Sequence, residues 1–189
     1  MKLTDLLENL FRDAPETELD EMSGFSRLRR MLTGGVDTVN RIGLLTANNP
    51  MIQKFSKREN EVLNKRLEQD LRQMGYGYIP VNGKYGNLEY SFLVPNITRE
   101  ETLFLGKKYQ QHSVIWGQRE EGEGLDGFRF EMIECDGERV TMIGHNVLTG
   151  VEVQSSDDYF SSVPKLGQQT VEKGLNPKER KFVIPFNDI

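Results

Sequence analysis

Residues 41–115 contain strand-like and helix-like segments in the order strand, helix, strand, strand, helix, strand. Each helix begins with a capping box, in which a Ser or Thr accepts the amide of a Glu three residues later and that Glu accepts the amide of the Ser or Thr. The two boxes are Ser56 with Glu59 and Thr98 with Glu101. Because this is the order of a split βαβ unit, we predict an α+β fold, a ferredoxin-like βαββαβ sandwich with both helices over one side of a shared sheet.

Two further segments are predicted to extend this sheet. Asp136-Gly137 is typical of a tight turn and lies between apolar runs at residues 128–135 and 140–144, which predicts a β-hairpin. The apolar tail at residues 182–186 predicts a C-terminal edge strand. Pro185 should lie at its margin, because proline cannot donate to a strand ladder.

The first 35 residues are predicted to form a helical arm. Apolar residues recur at helical spacing in residues 3–11 and again in residues 25–32, which indicates two amphipathic helices. Such helices usually face a core, and docking of a partner is the alternative. The chain is therefore predicted to consist of an N-terminal helical arm, residues 1–35, and one α+β domain, residues 36–189.

Bulk composition excludes some classes of protein. A net charge of −5 and a pI near 5.2 disfavour broad attraction to nucleic acid, because phosphate binding requires a positive surface. The apolar runs are too short for a membrane span. Asp5 and Glu8 interrupt what would be the apolar part of a secretory signal, so we expect a cytoplasmic protein.

Two features could contact nucleic acid, and each has a simpler explanation. Three basic residues repeat along the helix that begins after Ser56: Arg58, Lys65 and Arg72. A glutamate lies four residues before each of the last two, which is the favourable order for ion pairs within a helix. Four tyrosines concentrate near the middle strands: Tyr76, Tyr78, Tyr85 and Tyr90. The basic-glycine-aromatic signature of sheet-type RNA binders is missing, so cross-strand packing is favoured. Nucleic acid is not expected as a partner.

No segment provides a clear pattern for catalysis, metal binding or a cofactor. Cys135, His112 and His145 are the only cysteine and histidines, and each is predicted at a strand or hairpin end, which favours structural roles. The segment GEGLDG, residues 122–127, has the spacing of a dinucleotide fingerprint, but a predicted strand follows it instead of a helix. We therefore expect no catalytic residue, no metal and no cofactor.

A succession of short motifs carries a resemblance to a known family. In chain order the motifs are Thr46-Ala47-Asn48-Asn49-Pro50, Glu59-Asn60, Gly75-Tyr76-Gly77, EYSFLV at residues 89–94, Tyr109-Gln110-Gln111 and Ser113-Val114-Ile115. Over residues 42–116 the chain resembles a family of uncharacterised bacterial and tailed-phage proteins, domain-of-unknown-function group 3293. No agreed activity comes with this resemblance.

The resemblance implies a compact α+β protein of the phage accessory kind. It also implies four polar positions for binding a ligand: Asn49, Asn60, Glu89 and Gln111. Asn49 follows the first predicted strand and Asn60 lies near the start of the next helix, so the two side chains could face each other. Amide side chains bind hydrogen-bonding ligands well but are neither nucleophiles nor strong bases, which favours binding over catalysis.

Three functions are compatible with these observations. The preferred one is a non-enzymatic binding or interaction module of the phage accessory kind, which would contact an unknown protein partner through the N-terminal helix or the C-terminal tail. The second is an enzyme acting on a nucleotide or nucleic acid through a polar cleft formed by the four residues. The third is a structural component or homo-oligomer that buries the N-terminal helix.

Overall fold

The computed structural model describes residues 31, 38–85, 87–120, 127–146, 148–149, 159–162 and 181–188. Residues 3–11, where the first helix is predicted, lie outside this part, as does the GEGLDG segment up to Asp126. Met31 is the one described residue of the predicted arm; it is helical and buried. The division into an arm and a domain stays a prediction.

The described residues form two α-helices and ten strands, besides the helical residue Met31 and one 3-10 turn at Pro50–Ile52. The helices are α1 (Lys57–Gln73) and α2 (Arg99–Lys108). The strands are β1 (Arg41–Thr46), β2 (Ile79–Tyr85), β3 (Asn87–Pro95), β4 (Ser113–Glu120), β5 (Gly127–Glu134), β6 (Val140–His145), β7 (Leu148–Thr149), β8 (Tyr159–Ser162), β9 (Lys181–Val183) and β10 (Phe186–Asp188).

The fold is mixed α+β with an antiparallel sheet, so the predicted class is confirmed. Its strand order is β10-β6-β5-β4-β1-β3-β2-β8-β9-β7. The strands and helices from β1 to β4 follow the chain order that the sequence predicts. Next to β4, β5 and β6 form the hairpin that the Asp136-Gly137 turn predicts, and Gly137 adopts a φ of 82° there, which suits glycine.

The two capping boxes form as the sequence indicates. The Glu59 amide donates to Ser56 Oγ at 3.3 Å, and the Ser56 amide donates to Glu59 Oε2 at 2.8 Å. Thr98 and Glu101 make the same reciprocal pair at 3.1 and 3.2 Å. These bonds satisfy amides that have no partner inside their own helices, and they fix where α1 and α2 begin.

The C-terminal tail differs from the single edge strand that the sequence predicts. It divides at Ile184-Pro185 into β9, which lies between β8 and β7, and β10, which pairs with β6 at the end of the strand order. The physical reason is Pro185, which has no amide hydrogen and interrupts the ladder. Of these two strands, β10 lies at an end of the strand order and β9 lies inside it.

This division closes the sheet on itself. Two residues separate β9 from β10, and two separate β6 from β7, while β6 pairs with β10 and β7 with β9. The two pairs are therefore successive parts of one bent ladder, which brings both ends of the strand order together. Counting β6 with β7 and β9 with β10 as single bent strands, the closed sheet has eight strands. A ring of about eight strands has an interior that side chains fill or that holds one small ligand.

Alternation along the strands separates two apolar cores. Leu44 pairs with Leu93 and Ile115, and all three side chains face the interior of the closed sheet. We call this set the inner cluster; its buried members are Met31, Val39, Ile42, Leu44, Val81, Leu93, Ile115, Phe128, Phe130, Phe182 and Ile184. The adjacent residue Leu45 points the opposite way and pairs with Phe92.

The opposite face carries both helices. Leu67 and Leu71 of α1 and Leu103 and Leu105 of α2 belong to one apolar cluster with strand residues of this face, which we call the helix-side cluster. Both helices thus lie over one side of the sheet. Asp70 of α1 accepts hydrogen bonds from the Tyr109 hydroxyl and the Lys108 ammonium at 2.6 and 2.7 Å, which links the two helices at the surface.

Candidate functional site

A cavity of about 750 Å³ opens at one end of the closed sheet, where β1 ends and β4 begins. Its polar lining includes six side chains: Thr46, Asn49, Glu89, Ser91, Gln111 and Ser113. Its apolar lining includes Leu44, Ile115, Met132, Met142, Ile184 and Phe186. The inner cluster therefore forms the floor of the cavity, and polar groups are concentrated toward its opening.

Glu89 reaches the cavity because of its position in β3. Glu89, Ser91 and Leu93 alternate along the strand and share the inner face, since successive side chains of a strand point to opposite faces. The Asn49 amide group donates from Nδ2 to Glu89 Oε1 at 3.1 Å. Burial raises the pKa of the Glu89 carboxyl above its ordinary value, and the hydrogen bond from Asn49 opposes that rise.

Asn49 is held by Asn60 from the first turn of α1. The Asn49 amide donates to Asn60 Oδ1 at 2.9 Å, and Asn60 Nδ2 donates back to Asn49 Oδ1 at 3.0 Å. Asn49 Oδ1 also accepts the Phe55 amide at 3.1 Å. Asn49 has φ 49° and ψ 54°, a left-handed conformation that asparagine tolerates better than most residues. Asn60 therefore orients Asn49 from outside the cavity.

Gln111 connects the other wall of the cavity to the same loop. Its Nε2 donates to the carbonyl oxygens of Asn48 and Tyr109, each at 3.1 Å. The Met51 amide donates to the Gln110 carbonyl at 2.7 Å, which ties the loop after β1 to the end of α2. Deeper in this region Asn64 Oδ1 accepts the Ala47 amide at 3.0 Å. The polar cavity wall is thus fixed by hydrogen bonds that cross from element to element.

The structure brings the four residues singled out from the sequence into one connected region. Asn49, Glu89 and Gln111 line the cavity, and Asn60 is bonded to Asn49 behind it. Their assignment as ligand-binding residues stays a prediction. Part of their hydrogen-bonding capacity is used within the protein, so they form both a support for the loop and a lining for the cavity.

The rim of the cavity contains a loop with unusual backbone geometry. Asn49, Met51 and Ile52 have φ values of 49°, 54° and 61°. Positive φ is rare for a branched side chain such as Ile52, and conformations of this kind cluster at binding and active sites. Ile52 lines the cavity although 69% of the residue is exposed to solvent, and Met51 is 63% exposed. The loop therefore presents apolar groups to solvent at the opening.

Sequence reasoning missed several lining residues. Four of them are not among the predicted site residues: Ser91, Ser113, Met132 and Met142. Whether their side chains point to the same face of the sheet depends on how the strands from β3 to β6 are paired. One signal was present in the sequence. Glu89 and Ser91 are polar at the alternating positions of β3 that become apolar at Leu93, which indicates that the inner face changes from core to a solvent-accessible surface.

The cysteine and histidines do not form a reactive group. Cys135 is buried in the helix-side cluster, and burial raises the pKa of its thiol to about 11, which disfavours the thiolate. His112 lines the cavity, and His145 Nδ1 lies 3.5 Å from Glu120. Within the described ranges, no group of three His, Cys, Asp or Glu residues is placed to hold a metal ion.

Tyr78 and Tyr90 serve in packing, and Arg72, one of the three basic residues spaced along α1, forms an ion pair. Tyr78 and Tyr90 make edge-on contacts with the Phe92 ring, with centroids 5.0 and 5.3 Å apart. Arg72 pairs with Glu68 at 2.6 Å and also donates to the Tyr78 hydroxyl. The Tyr78–Phe92 contact, from the residue before β2 to β3, agrees with the predicted cross-strand packing, whereas Tyr90 and Phe92 both lie in β3. Arg72 is engaged at the helix surface.

Comparison with known proteins adds a family match and no activity. No curated protein matches the chain. None of the helices in the described part is both long and apolar enough to cross a membrane. Residues 45–114 match the family model described as Protein of unknown function (DUF3293), an interval that includes α1, α2 and the four polar residues of the candidate site.

Proposed function

We propose that this protein binds a small molecule in the cavity at the end of the closed sheet and does so without catalysis. The observation that carries the proposal is the convergence of Asn49, Glu89 and Gln111, from three separate elements, on one cavity with an apolar floor. Ligand sites in proteins have this character: concave, about 300–1,000 Å³ in volume, mostly apolar, with a few oriented polar groups. The mouths of β-barrels are a common location for them.

The hydrogen-bond network supports binding because it fixes the polar groups before a ligand arrives. Asn60 holds Asn49, Asn49 donates to Glu89, and Gln111 is held by two backbone carbonyls. Groups that are already ordered lose less conformational entropy when a ligand binds. The cavity is thus largely preformed, as small-molecule sites usually are.

The lining favours binding over covalent catalysis. Ser91 and Ser113 line the cavity, but within the described part of the chain neither hydroxyl is hydrogen-bonded to a histidine that could activate it. A serine nucleophile requires an adjacent base. The remaining polar side chains of the described lining are one hydroxyl, three amides, one imidazole and one carboxyl, from Thr46, Asn49, Gln111, Asn187, His112 and Glu89, and such groups suit recognition.

Ligand-detected and protein-detected NMR with a small-fragment library tests the proposal. Binders should shift the backbone amides of Thr46, Ser91 and Ser113 and should be excluded by Ser113→Phe, which places a ring in the cavity. Val62→Phe is the matched control, since Val62 is 45% exposed on α1 outside the cavity. Fragments that bind both variants equally, or shift only surface residues elsewhere, would overturn the proposal. Thermal melting checks that each variant is folded.

An enzyme acting on a nucleotide is the second candidate, and one observation favours it. Burial raises the pKa of Glu89, and a carboxyl in a cavity with a raised pKa can serve as a general acid. Release of phosphate from ATP, followed by phosphorus NMR, tests this candidate. Release that Glu89→Gln abolishes would establish it, and absence of release would count against it. The negative charge of Glu89 disfavours a phosphate ligand, so we prefer the binding function.

The expected phage accessory role and the protein partner stay predictions. Residues 3–11, one of the two segments suggested for partner contact, lie outside the described residues. The other segment is the C-terminal tail, whose Phe182, Val183 and Ile184 are buried within the closed sheet. This burial weighs against the tail as a docking segment. Cytoplasmic location and self-association stay predictions as well.

We also propose that the core is of the split βαβ, ferredoxin-like type. The order β4-β1-β3-β2 with antiparallel pairing supports this assignment, as do the two helices on one side. The closure of the sheet through β5 to β10 is an addition to that core. Comparison of an experimental structure with open ferredoxin-like sandwiches and with closed barrels would test the assignment.

A further inference from the structure

We infer that the ligand of the cavity is a cation, a primary amine attached to an apolar group, and that Glu89 is its counter-ion. This inference rests on the proposed binding function and adds the chemical class of the ligand. Three features of the described residues carry it: the charge of the lining, the surroundings of the Glu89 carboxylate, and the shape and chemistry of the remaining wall.

Charge is the first feature. Among the described residues that line the cavity, Glu89 is the one Asp, Glu, Lys or Arg and gives the lining one formal negative charge, and the His112 imidazole is the other titratable side chain there. An anionic ligand would meet the Glu89 charge without a described Lys or Arg in the lining to compensate it. A cationic ligand would neutralise it in a partly desolvated site, where electrostatic attraction is stronger than in bulk water.

The surroundings of the carboxylate are the second feature. Two other partly buried carboxylates in the described part pair with cations: Glu131 lies 3.1 Å from Arg99 and 2.6 Å from Arg129, and Asp70 lies 2.7 Å from Lys108. A third, Glu101, accepts hydrogen bonds from the hydroxyl groups of Thr98 and Tyr76. Glu89 receives a hydrogen bond from the neutral amide of Asn49, and no described Lys or Arg lies within ion-pair distance of it. Burial of a carboxylate without a cation is unfavourable. A bound ammonium group would provide the missing partner.

The rest of the wall is the third feature, and it favours a primary amine over a quaternary one. An ammonium group has three hydrogen-bond donors, and Ser91 and Ser113, whose hydroxyl groups can accept hydrogen bonds, line the same cavity as Glu89. Cages for quaternary ammonium groups are built from several aromatic rings. Phe186 is the one Phe, Tyr or Trp among the described lining residues. Leu44, Met132 and Met142 offer an aliphatic and thioether surface for the apolar part of the ligand.

Three probes of similar size separate charge from shape: 2-phenylethylamine, 2-phenylethanol and phenylacetate, titrated by NMR at pH 7.5. The amine should bind roughly tenfold or more tightly than the alcohol, because a charge-assisted hydrogen bond replaces a neutral one, and phenylacetate should bind most weakly. Glu89→Gln should reduce amine binding to the level of the alcohol and leave alcohol binding unchanged. Glu61→Gln, at an exposed position of α1, should leave all three titrations unchanged.

The outcomes distinguish this inference from the function on which it rests. Equal binding of amine and alcohol, or an amine preference that survives Glu89→Gln, would overturn the cationic ligand while retaining a binding cavity. Absence of binding by all three probes would overturn both. Retained alcohol binding by Glu89→Gln shows that the cavity of that variant is intact, so a loss of amine binding there cannot come from unfolding.

Discussion

Glu89 is the residue whose environment most affects the chemistry of the cavity. Its pKa is raised by burial, so the folded protein holds a proton on this carboxyl more tightly than the unfolded chain does. The protonated Glu89 carboxyl therefore stabilises the folded protein relative to the unfolded chain. This contribution is fully present below the pKa of the group in the unfolded chain, about 4.5, and is lost as pH rises through its pKa in the folded protein. Glu89 therefore costs stability at neutral pH.

Glu89→Gln should remove this cost. At pH 7.5 we expect the free energy of unfolding to be equal to that of the wild type or about 1 kcal/mol greater, because glutamine still accepts the Asn49 hydrogen bond and carries no charge. Chemical denaturation of both proteins from pH 4 to 8 measures the effect. The difference between them should grow as pH rises; a difference that is constant with pH would contradict the raised pKa.

The pKa values of Asp70 and Glu101 are shifted in the opposite direction to that of Glu89, which provides a comparison within the same protein. Burial acts to raise the pKa of both carboxyls, but hydrogen bonds outweigh it and the net pKa of each is lowered. Asp70 accepts these bonds from Lys108 and Tyr109, and Glu101 accepts them from Thr98 and Tyr76. Their contribution to stability is present above the unfolded pKa and is lost as pH falls through the folded pKa.

Asn60 is a positioning residue, and its replacement should affect stability and binding together. Asn60→Ala removes both hydrogen bonds that hold Asn49, so we expect a loss of about 1–3 kcal/mol in the free energy of unfolding and weaker binding of 2-phenylethylamine. Denaturation and titration measure the two effects. Glu61→Ala, the exposed neighbour, should change stability by less than about 0.5 kcal/mol. Unchanged binding by Asn60→Ala would contradict the role of the Asn49–Asn60 pair.

At the level of elements, the tight contact between β6 and the C-terminal tail closes the sheet. A Cβ atom at Gly144 would lie 2.7 Å from Ile184 Cγ2 and 3.1 Å from the Pro185 carbonyl oxygen. Glycine is therefore favoured at this position by the close approach of the Ile184 side chain and the Pro185 carbonyl. The contact lies where Pro185 separates β9 from β10, which is the bend of the closing ladder.

Gly144→Ala should loosen this closure. We expect a loss of about 1–3 kcal/mol, the usual cost of overpacking, with faster amide hydrogen exchange in β6 and β10 than in β1 and β3. Asn187→Ala, at an exposed residue of β10, is the control and should exchange as the wild type does. Uniform acceleration across all strands, or none, would show that the tail does not close the sheet.

The helices and the first four strands were predictable from sequence because their signals are local. The capping boxes at Ser56 and Thr98 indicate where α1 and α2 begin, and turn residues separate the strands. The pairing of β9 and β10 was not predictable. Each has three residues, too few for a period of two to be recognised, and their partners lie far away in sequence.

The candidate site was predictable only in part for the same reason. Asn49, Asn60, Glu89 and Gln111 came from a family resemblance, and no local pattern distinguishes them from ordinary loop or cap residues. Met132 and Met142 face the cavity because they pair with each other across β5 and β6. Two methionines in separate strands give no sequence signal for a shared wall before the register is known.

For the whole molecule, the sheet has a helix-covered outer face and an interior that changes from apolar to polar along its length. The helix-side cluster stabilises the outer face, and the inner cluster fills one end of the interior and leaves the other end open as the cavity. Closure by the tail is what gives the cavity its wall of Ile184 and Phe186.

Removal of residues 181–189 should therefore affect the molecule as a whole. The loss of Phe182 and Ile184 from the inner cluster should cost several kcal/mol, by roughly 2–5 kcal/mol for each large buried side chain. Fluorescence of a hydrophobic dye should rise because the interior becomes exposed. Removal of Ile189 alone is the control. A truncated protein as stable as the control, with no dye binding, would contradict closure.

Intermolecular NOEs between 2-phenylethylamine and protein with 13C-labelled methionine methyl groups test the central claim most directly. Met132 and Met142 line the cavity, whereas Met74 packs against the helix-side cluster on the opposite face. We predict NOEs from the ring of the ligand to the methyl groups of Met132 and Met142 and none to that of Met74. NOEs to Met74 without any to Met132 or Met142 would contradict binding in the cavity.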